Sequence, residues 1–379
     1  MTERDTHPSS THPPLPPTSE DDQFSCLRLL RSRRVGISTY QRLLIEHGTA
    51  QNALAALPSV ARAAGVDGYE VCPEGVVQAE LNAGQRAGAK LVFQGSPSFP
   101  SALNDLPDTP PFLWAMGDVD LLNAPAIAIV GARNASSLGT RMARALAHDL
   151  AAEGYVIVSG LARGIDTAAH LAALEGGTIA VQAGGVDIIY PAENTGLAGD
   201  IARQGLRLSE QPMGLQPMAR HFPARNRIIS GLARATVVVE AAAKSGSLIT
   251  ARDALDLGRD VLAVPGHPFD ARAAGCNMLL RDGATLVRNA TDVMEALAPI
   301  AATEPELALA CPPADTRTLA ETAALHQQIL DRLGPAPIAE DQLIRDLGAG
   351  AAAVGPALVD LELSGSISRA PGGLLSRTS

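Results

Sequence analysis

The sequence predicts an α/β protein: an open parallel sheet with helices on both faces, preceded by a helical segment and followed by a winged helix. Three patterns predict this. Between Ala126 and Val287, short β-branched runs alternate with glycine loops and helix-length amphipathic stretches, as in parallel strands joined by crossover helices. Ahead of that region, apolar pairs such as Cys26-Leu27, Leu29-Leu30 and Leu43-Leu44 recur at helical spacing. At the other end, three short helical segments lead into a hairpin pattern.

In chain order, residues 1–22 are Pro, Ser, Thr and acidic groups with almost nothing to bury, and read as a disordered tail. Residues 23–106 form the helical domain. The sheet core, 107–300, opens with a proline-rich bridge from Pro107 to Gly117. Its strands are expected at Ile127–Val130, Tyr155–Ser159, Thr178–Ala183, Leu206–Ser209, Ala235–Glu240, Asp260–Val264 and Thr285–Val287. Helices such as Thr140–Ala152 and Ile165–Leu174 lie between them. Residues 301–317 form an Ala/Pro/acidic linker. The winged helix, 318–379, has helices near 326–333, 339–347 and 351–364 and a hairpin from Ser366.

Composition narrows the function. The chain has 379 residues, 46% hydrophobic but only 3% aromatic, so its core rests on Ala, Leu, Val and Ile. A net charge of −10 excludes a uniformly basic nucleic-acid binder. The charge is uneven, however: residues 125–300 hold 16 cations against 16 acids. Within 200–234, six arginines face only Asp200 and Glu210, a basic strip that can bind a polyanion. Cys26, Cys72, Cys276 and Cys311 are scattered without metal-type pairing, which points to a reducing cytoplasm and no disulfide framework. The N-terminus lacks a signal-peptide pattern, and no apolar run approaches membrane-spanning length.

In open α/β sheets the loops at strand ends carry the ligand. After the strand at Ala235-Thr-Val-Val-Val-Glu240 comes Lys244-Ser245-Gly246-Ser247, opening a helix at Leu248. It is either an anion cradle of backbone N–H groups or an ordinary crossover turn. Arg225, Asn226 and Arg227 stand nearby, and cations beside such a cradle suggest a phosphate-bearing, polymeric ligand. The first loop runs from Gly131 through Arg133 to Gly139. It lacks the third glycine of a dinucleotide fingerprint and the lysine of an ATP loop, though Arg133 can grip a phosphate. The second loop, Ser159-Gly160-Leu-Ala-Arg163-Gly164-Ile-Asp166, lets backbone approach a ligand that Ser159 or Asp166 could hydrogen-bond. Asp166 paired with His170 would be catalytic, but Asp166 capping the helix and organising the loop is the preferred reading. Tyr190 either meets a base or ribose, or belongs to a plain turn. His267, in a turn, reads as structural. No nucleophile elbow or metal motif occurs, so neither catalysis nor a cofactor or metal is expected.

Taken in order, the loops resemble the bacterial DNA-processing protein A (DprA/Smf) family. The shared strings are VGAR at 130–133, SGLARGID at 159–166, GVDIIYPAEN at 185–194, SE at 209–210, FPARNRII at 222–229, VVVEA at 237–241, SGSLITAR at 245–252 and AVPGHP at 263–268. The resemblance implies an extended Rossmann-like core, and an N-terminal helical domain of SAM or helix–hairpin–helix type. It also implies single-stranded DNA binding, RecA loading in natural transformation, self-association as a homodimer, and no catalytic reaction. The implied DNA contacts are Arg133, Ser159 to Asp166, Phe222 and Arg225 to Arg227. Lys244 to Ser247 joins them on the cradle argument alone.

Three departures stand out. GAR replaces the usual GSR; Ala192 and Glu193 stand where a basic residue often follows Tyr-Pro; and Gly36-Ile-Ser-Thr39 replaces a Gly-x-Gly turn, which weakens any expectation of DNA contact there. The helix at the recognition position carries Asp360 and Glu362 without Lys or Arg, which favours a protein-contact or packing role over duplex reading. Two rival functions remain. A phosphoribohydrolase-like nucleotide hydrolase would need a Pro-Gly-Gly-x-Gly-Thr string that this chain lacks. A duplex-reading regulator would need a basic third helix.

Overall fold

The computed structural model describes residues 17, 19–298 and 318–378 of the chain. The expected linker 301–317 lies outside the described residues, as does most of the expected tail. The chain divides into two compact units, 1–300 and 301–379.

Four helices begin the first unit: α1 (Glu20–Arg31), α2 (Ile37–His47), α3 (Ala50–Ala63) and α4 (Glu74–Ala87). The first starts three residues inside the expected tail because Ser19 and Asp22 close a capping box around its orphan N–H groups. Leu27, Leu29, Leu43, Ala53 and Val77 are fully buried where these helices meet. Glu80 on α4 is buried as well, and its charge is matched: Arg31 donates to both carboxylate oxygens at 2.8 Å. Trp114 Nε1 adds a third hydrogen bond to Glu80 at 2.9 Å, tying the helices to the sheet.

The sheet has nine strands: β1 (Lys90–Phe93), β2 (Phe112–Gly117), β3 (Ala126–Val130), β4 (Val156–Ser159), β5 (Thr178–Val181), β6 (Leu206–Ser209), β7 (Ala235–Val238), β8 (Asp260–Ala263) and β9 (Thr285–Leu286). Their spatial order is β1-β2-β6-β5-β4-β3-β7-β8-β9. All seven expected strands are present, and their mutual pairings are parallel. The first two strands were not expected, and both pair antiparallel at one edge. Phe112–Gly117 thus forms a buried strand inside the expected proline-rich bridge. No crossover helix announces an antiparallel edge, and Pro107, Pro110 and Pro111 hide its start.

Crossovers run through α5 (Ser137–Ala152), α6 (Ile165–Ala172), α7 (Thr195–Gln204), α8 (His221–Leu232), α9 (Ser247–Asp256) and α10 (Ala274–Arg281), and α11 (Ala290–Leu297) follows the last strand. Side chains alternate between two cores. Ala128, Val130 and Val158 enter one face, and Ile127, Ile129 and Ile157 enter the other.

The second unit holds α12 (Leu319–Arg332), α13 (Glu340–Leu347) and α14 (Ala351–Leu363), with a sheet of β10 (Ile338–Ala339), β11 (Ile367–Ala370) and β12 (Leu374–Arg377). This is the expected winged helix, with its first helix seven residues longer at the start. The capping box of Thr318 and Glu321 sets that earlier boundary. Among the described residues, no helix is long and apolar enough to cross a membrane.

Candidate nucleic-acid interface

The chain builds β3 to β6 outward in one direction, then returns to lay β7 beside β3. At this reversal the loops after β3 and β7 part, and open α/β sheets bind ligands in the crevice so formed. A cavity of about 740 Å³ lies there, lined by Gly131, Arg133, Asp166, Phe222, Asn226 and Lys244 among others. A second cavity of about 260 Å³ shares Arg133 and Phe222 with it, and adds Gly160, Arg163 and Tyr190.

Where the cavities join, the Arg133 guanidinium lies 5.0 Å from the centroid of the Phe222 ring. The Tyr190 ring centroid is 5.8 Å from that of Phe222, the two planes tilted by 57°. Arg133 is exposed and Phe222 half-buried, so a cation and aromatic faces meet at a surface open to a ligand. Tyr190 lines the smaller cavity with its ring 52% exposed.

Beneath the surface, several expected contact residues turn inward instead. Arg225 is buried, and its Nη1 donates to the carbonyls of Gly160 and Val181 at 2.6 and 2.7 Å. Burial lowers its pKa to about 10, which leaves it cationic at neutral pH. Its charge faces Asp166, whose Oδ2 accepts from the N–H groups of Gly160 and Ala162 at 3.1 and 3.3 Å. Ser159 is fully buried and donates to Ile129 O at 2.6 Å. Asp166 therefore organises the loop as expected, but it does not cap α6, whose N-cap is Gly164 with no side-chain cap hydrogen bond.

His170 is also committed to the scaffold. Thr178 donates its hydroxyl to Ile157 O, so its oxygen accepts from His170 Nδ1 at 2.7 Å. The other ring nitrogen accepts from Leu161 N–H at 3.3 Å, which makes the ring a neutral tautomer. Burial agrees, pushing the His170 pKa down to about 3. Both ring nitrogens are thus used away from Asp166.

Arg227 is likewise corrected. It pairs with Asp108 and Glu210, each at 2.7 Å, and its side chain is 12% exposed. Gly164 has φ +80°, and an added Cβ would lie 2.3 Å from Ala132 O, so this glycine serves contact between loops. Asn226 lines the cavity, and so does the buried Arg225 from beneath, whereas Arg227 does not. Lys244, Ser245, Gly246 and Ser247 line it too, and open α9 one residue earlier than expected.

Arg272 was not expected at the site, yet it lines the larger cavity from the loop after β8. Its only sequence signal was a cation in a loop following a strand. Glu193 lies 3.7 Å from Arg163, so an acid faces one of the rim cations. Glu240 accepts from Ser136 N–H at 2.9 Å and from the Ser136 hydroxyl. Its carboxylate therefore occupies the N-terminus of α5, where a bound mononucleotide would set its phosphate.

Comparison with known proteins identifies the family. A family model described as DNA recombination-mediator protein A matches residues 90–298. A DprA-like N-terminal HHH domain matches 20–83, and a DprA winged helix domain matches 312–373. The DNA processing protein DprA of Streptococcus pneumoniae is 46% identical over 211 residues, covering 53% of this chain and 74% of that protein. An X-ray structure of DNA processing protein A from Streptococcus pneumoniae superposes with a TM-score of 0.61 at 34% identity, covering 73% of this chain and 98% of the other. DNA processing protein A from Helicobacter pylori, described for its single-stranded DNA binding mode, gives a TM-score of 0.52 at 33% identity. That match covers 55% of this chain and 95% of the other.

Proposed function

This chain belongs to the DNA recombination-mediator protein A (DprA/Smf) family of DNA-processing proteins, and from that premise we propose that it binds single-stranded DNA and loads RecA onto it during natural transformation. The observation that carries this reading is Arg133 over Phe222, with the Tyr190 ring beside Phe222. A guanidinium holds a phosphate, while a ring needs the face of an unstacked base, which a single strand offers and a duplex hides. Exposed Arg163, Lys244 and Arg272 extend the track along the cavity wall. Arg225 and Asp166 support it from below, holding the loop from which Arg163 projects.

The protein acts by binding, in the cytoplasm and as a homodimer, without turnover. Asp166 and His170 spend their hydrogen bonds on the scaffold, and Glu240 fills the helix terminus that a nucleotide hydrolase would keep for phosphate. In the second unit Arg369 pairs with Glu340 and Glu362, and Asp360 adds exposed acid to α14. That face suits a protein partner better than a duplex groove.

The test is a parallel titration of labelled oligo-dT and duplex DNA, with and without RecA, over a range of salt. Single strand should be preferred. With four exposed cations along the track, the log–log salt slope should be on the order of −3 or shallower. Duplex preference, or no salt dependence, would falsify the reading.

A further inference from the structure

One loop, residues 264–273 after β8, walls two cavities. Arg272 lines the 740 Å³ cavity described above, while His267 and Asp270 line another of about 530 Å³. The floor of this other cavity is apolar, formed by Leu138, Met142 and Val264. Phe269 stands between these residues on the crest of the loop and is 95% exposed.

An isolated exposed ring means little; its setting here carries the argument. The crest is pinned by its own hydrogen bonds: Phe269 N–H donates to His267 Nδ1 at 3.2 Å, and Asp270 N–H to His267 O at 2.9 Å. Arg272 closes the turn with Nε on Asp270 Oδ1 at 3.1 Å. The rings of Phe269 and His267 are 5.5 Å apart. The two rings supply what a base needs, a π-face, while the Arg272 fork is turned onto Asp270 through both Nε and Nη2 and stiffens the crest. The second cavity has a different charge. Arg141 is opposed there by Glu240 and Asp270, so its apolar floor suits a base better than a phosphate.

Resting on the single-strand reading above, we propose that a strand leaving the first cavity crosses this loop, stacks one base on Phe269 and turns the next toward the second cavity. The contact adds a nucleobase station beyond Phe222 and lengthens the binding site.

The test uses the full chain with oligo-dT of about 4 and about 20 nucleotides, the longer one carrying a 2-aminopurine scanned along its length. Phe269→Ala should bind the short oligomer as the wild type does. It should bind the long one about fivefold or more weakly and lose quenching at one position, with Phe269→Trp restoring both. Unchanged affinity and quenching in Phe269→Ala overturns the proposal and leaves the single-strand reading standing. A changed sedimentation coefficient with unchanged affinity also overturns it, by assigning the ring to contact between copies. A wild type that binds neither oligomer overturns both readings together.

Discussion

Arg225 and Gly160 fit each other so closely that a Cβ at position 160 would lie 2.0 Å from the Arg225 Nη1 atom. The glycine leaves room for the guanidinium, and the guanidinium holds the glycine's carbonyl at 2.6 Å. Together they join the end of β4 to α8 beneath the cavity, so the loop that follows keeps its shape before any ligand arrives.

Arg225→Ala should destabilise the first unit by about 3–5 kcal/mol, since it leaves Asp166 buried without its facing charge and two carbonyls unbonded. Arg225→Lys should recover only part of this, because the shorter side chain keeps a cation facing Asp166 but not the reach of Nη1 to both carbonyls. Denaturant unfolding of the full chain measures both, and wild-type stability in either would refute the scaffold role.

Arg133→Ala and Phe222→Ala should each weaken single-strand binding by about 1–3 kcal/mol with little change in Tm. The cation is exposed and makes its contact through the ring, so its removal leaves the fold intact. Fluorescence anisotropy beside a thermal melt separates this outcome from that expected for Arg225.

Glu193→Gln should tighten binding by up to about fivefold at low salt by freeing Arg163 from a facing acid. The pair is exposed, so the gain should vanish as salt rises. Affinity measured at two ionic strengths checks both parts.

Acid should weaken the fold through His170. Its pKa is held near 3 in the folded chain against 6.5 for an ordinary histidine, so below about pH 6.5 the unfolded chain takes the proton first. This stability is fully present above pH 6.5 and is lost as pH falls, at up to about 1.4 kcal/mol per pH unit. Urea unfolding at pH 7.5, 6 and 5 should show the slope in wild type and its reduction in His170→Asn.

Removal of residues 301–379 should leave the remaining unit folded, since the two parts hold separate cores. Single-strand affinity should be nearly unchanged while RecA loading falls. A tenfold loss of DNA affinity, about 1.4 kcal/mol, would instead assign DNA contact to the winged helix.

The sequence by itself determined the seven parallel strands, the loops at their ends and the outline of the winged helix. Those features are written in local periodicity and glycine placement, which need no knowledge of the rest of the chain. It could not reveal β1 and β2, whose antiparallel pairing depends on an edge that other segments create. Nor could it sort the arginines. Arg133, Arg225 and Arg227 are alike as letters, but one lies exposed over Phe222, one is buried against two carbonyls, and one is spent on Asp108 and Glu210. Which way Arg225 and Arg227 point depends on how α8 is rotated against strands and acids far away in the chain, and Arg133 meets Phe222 only because the loop after β3 is packed beside that helix. Only the packed tertiary structure decides that, because a buried charge goes where its partners are.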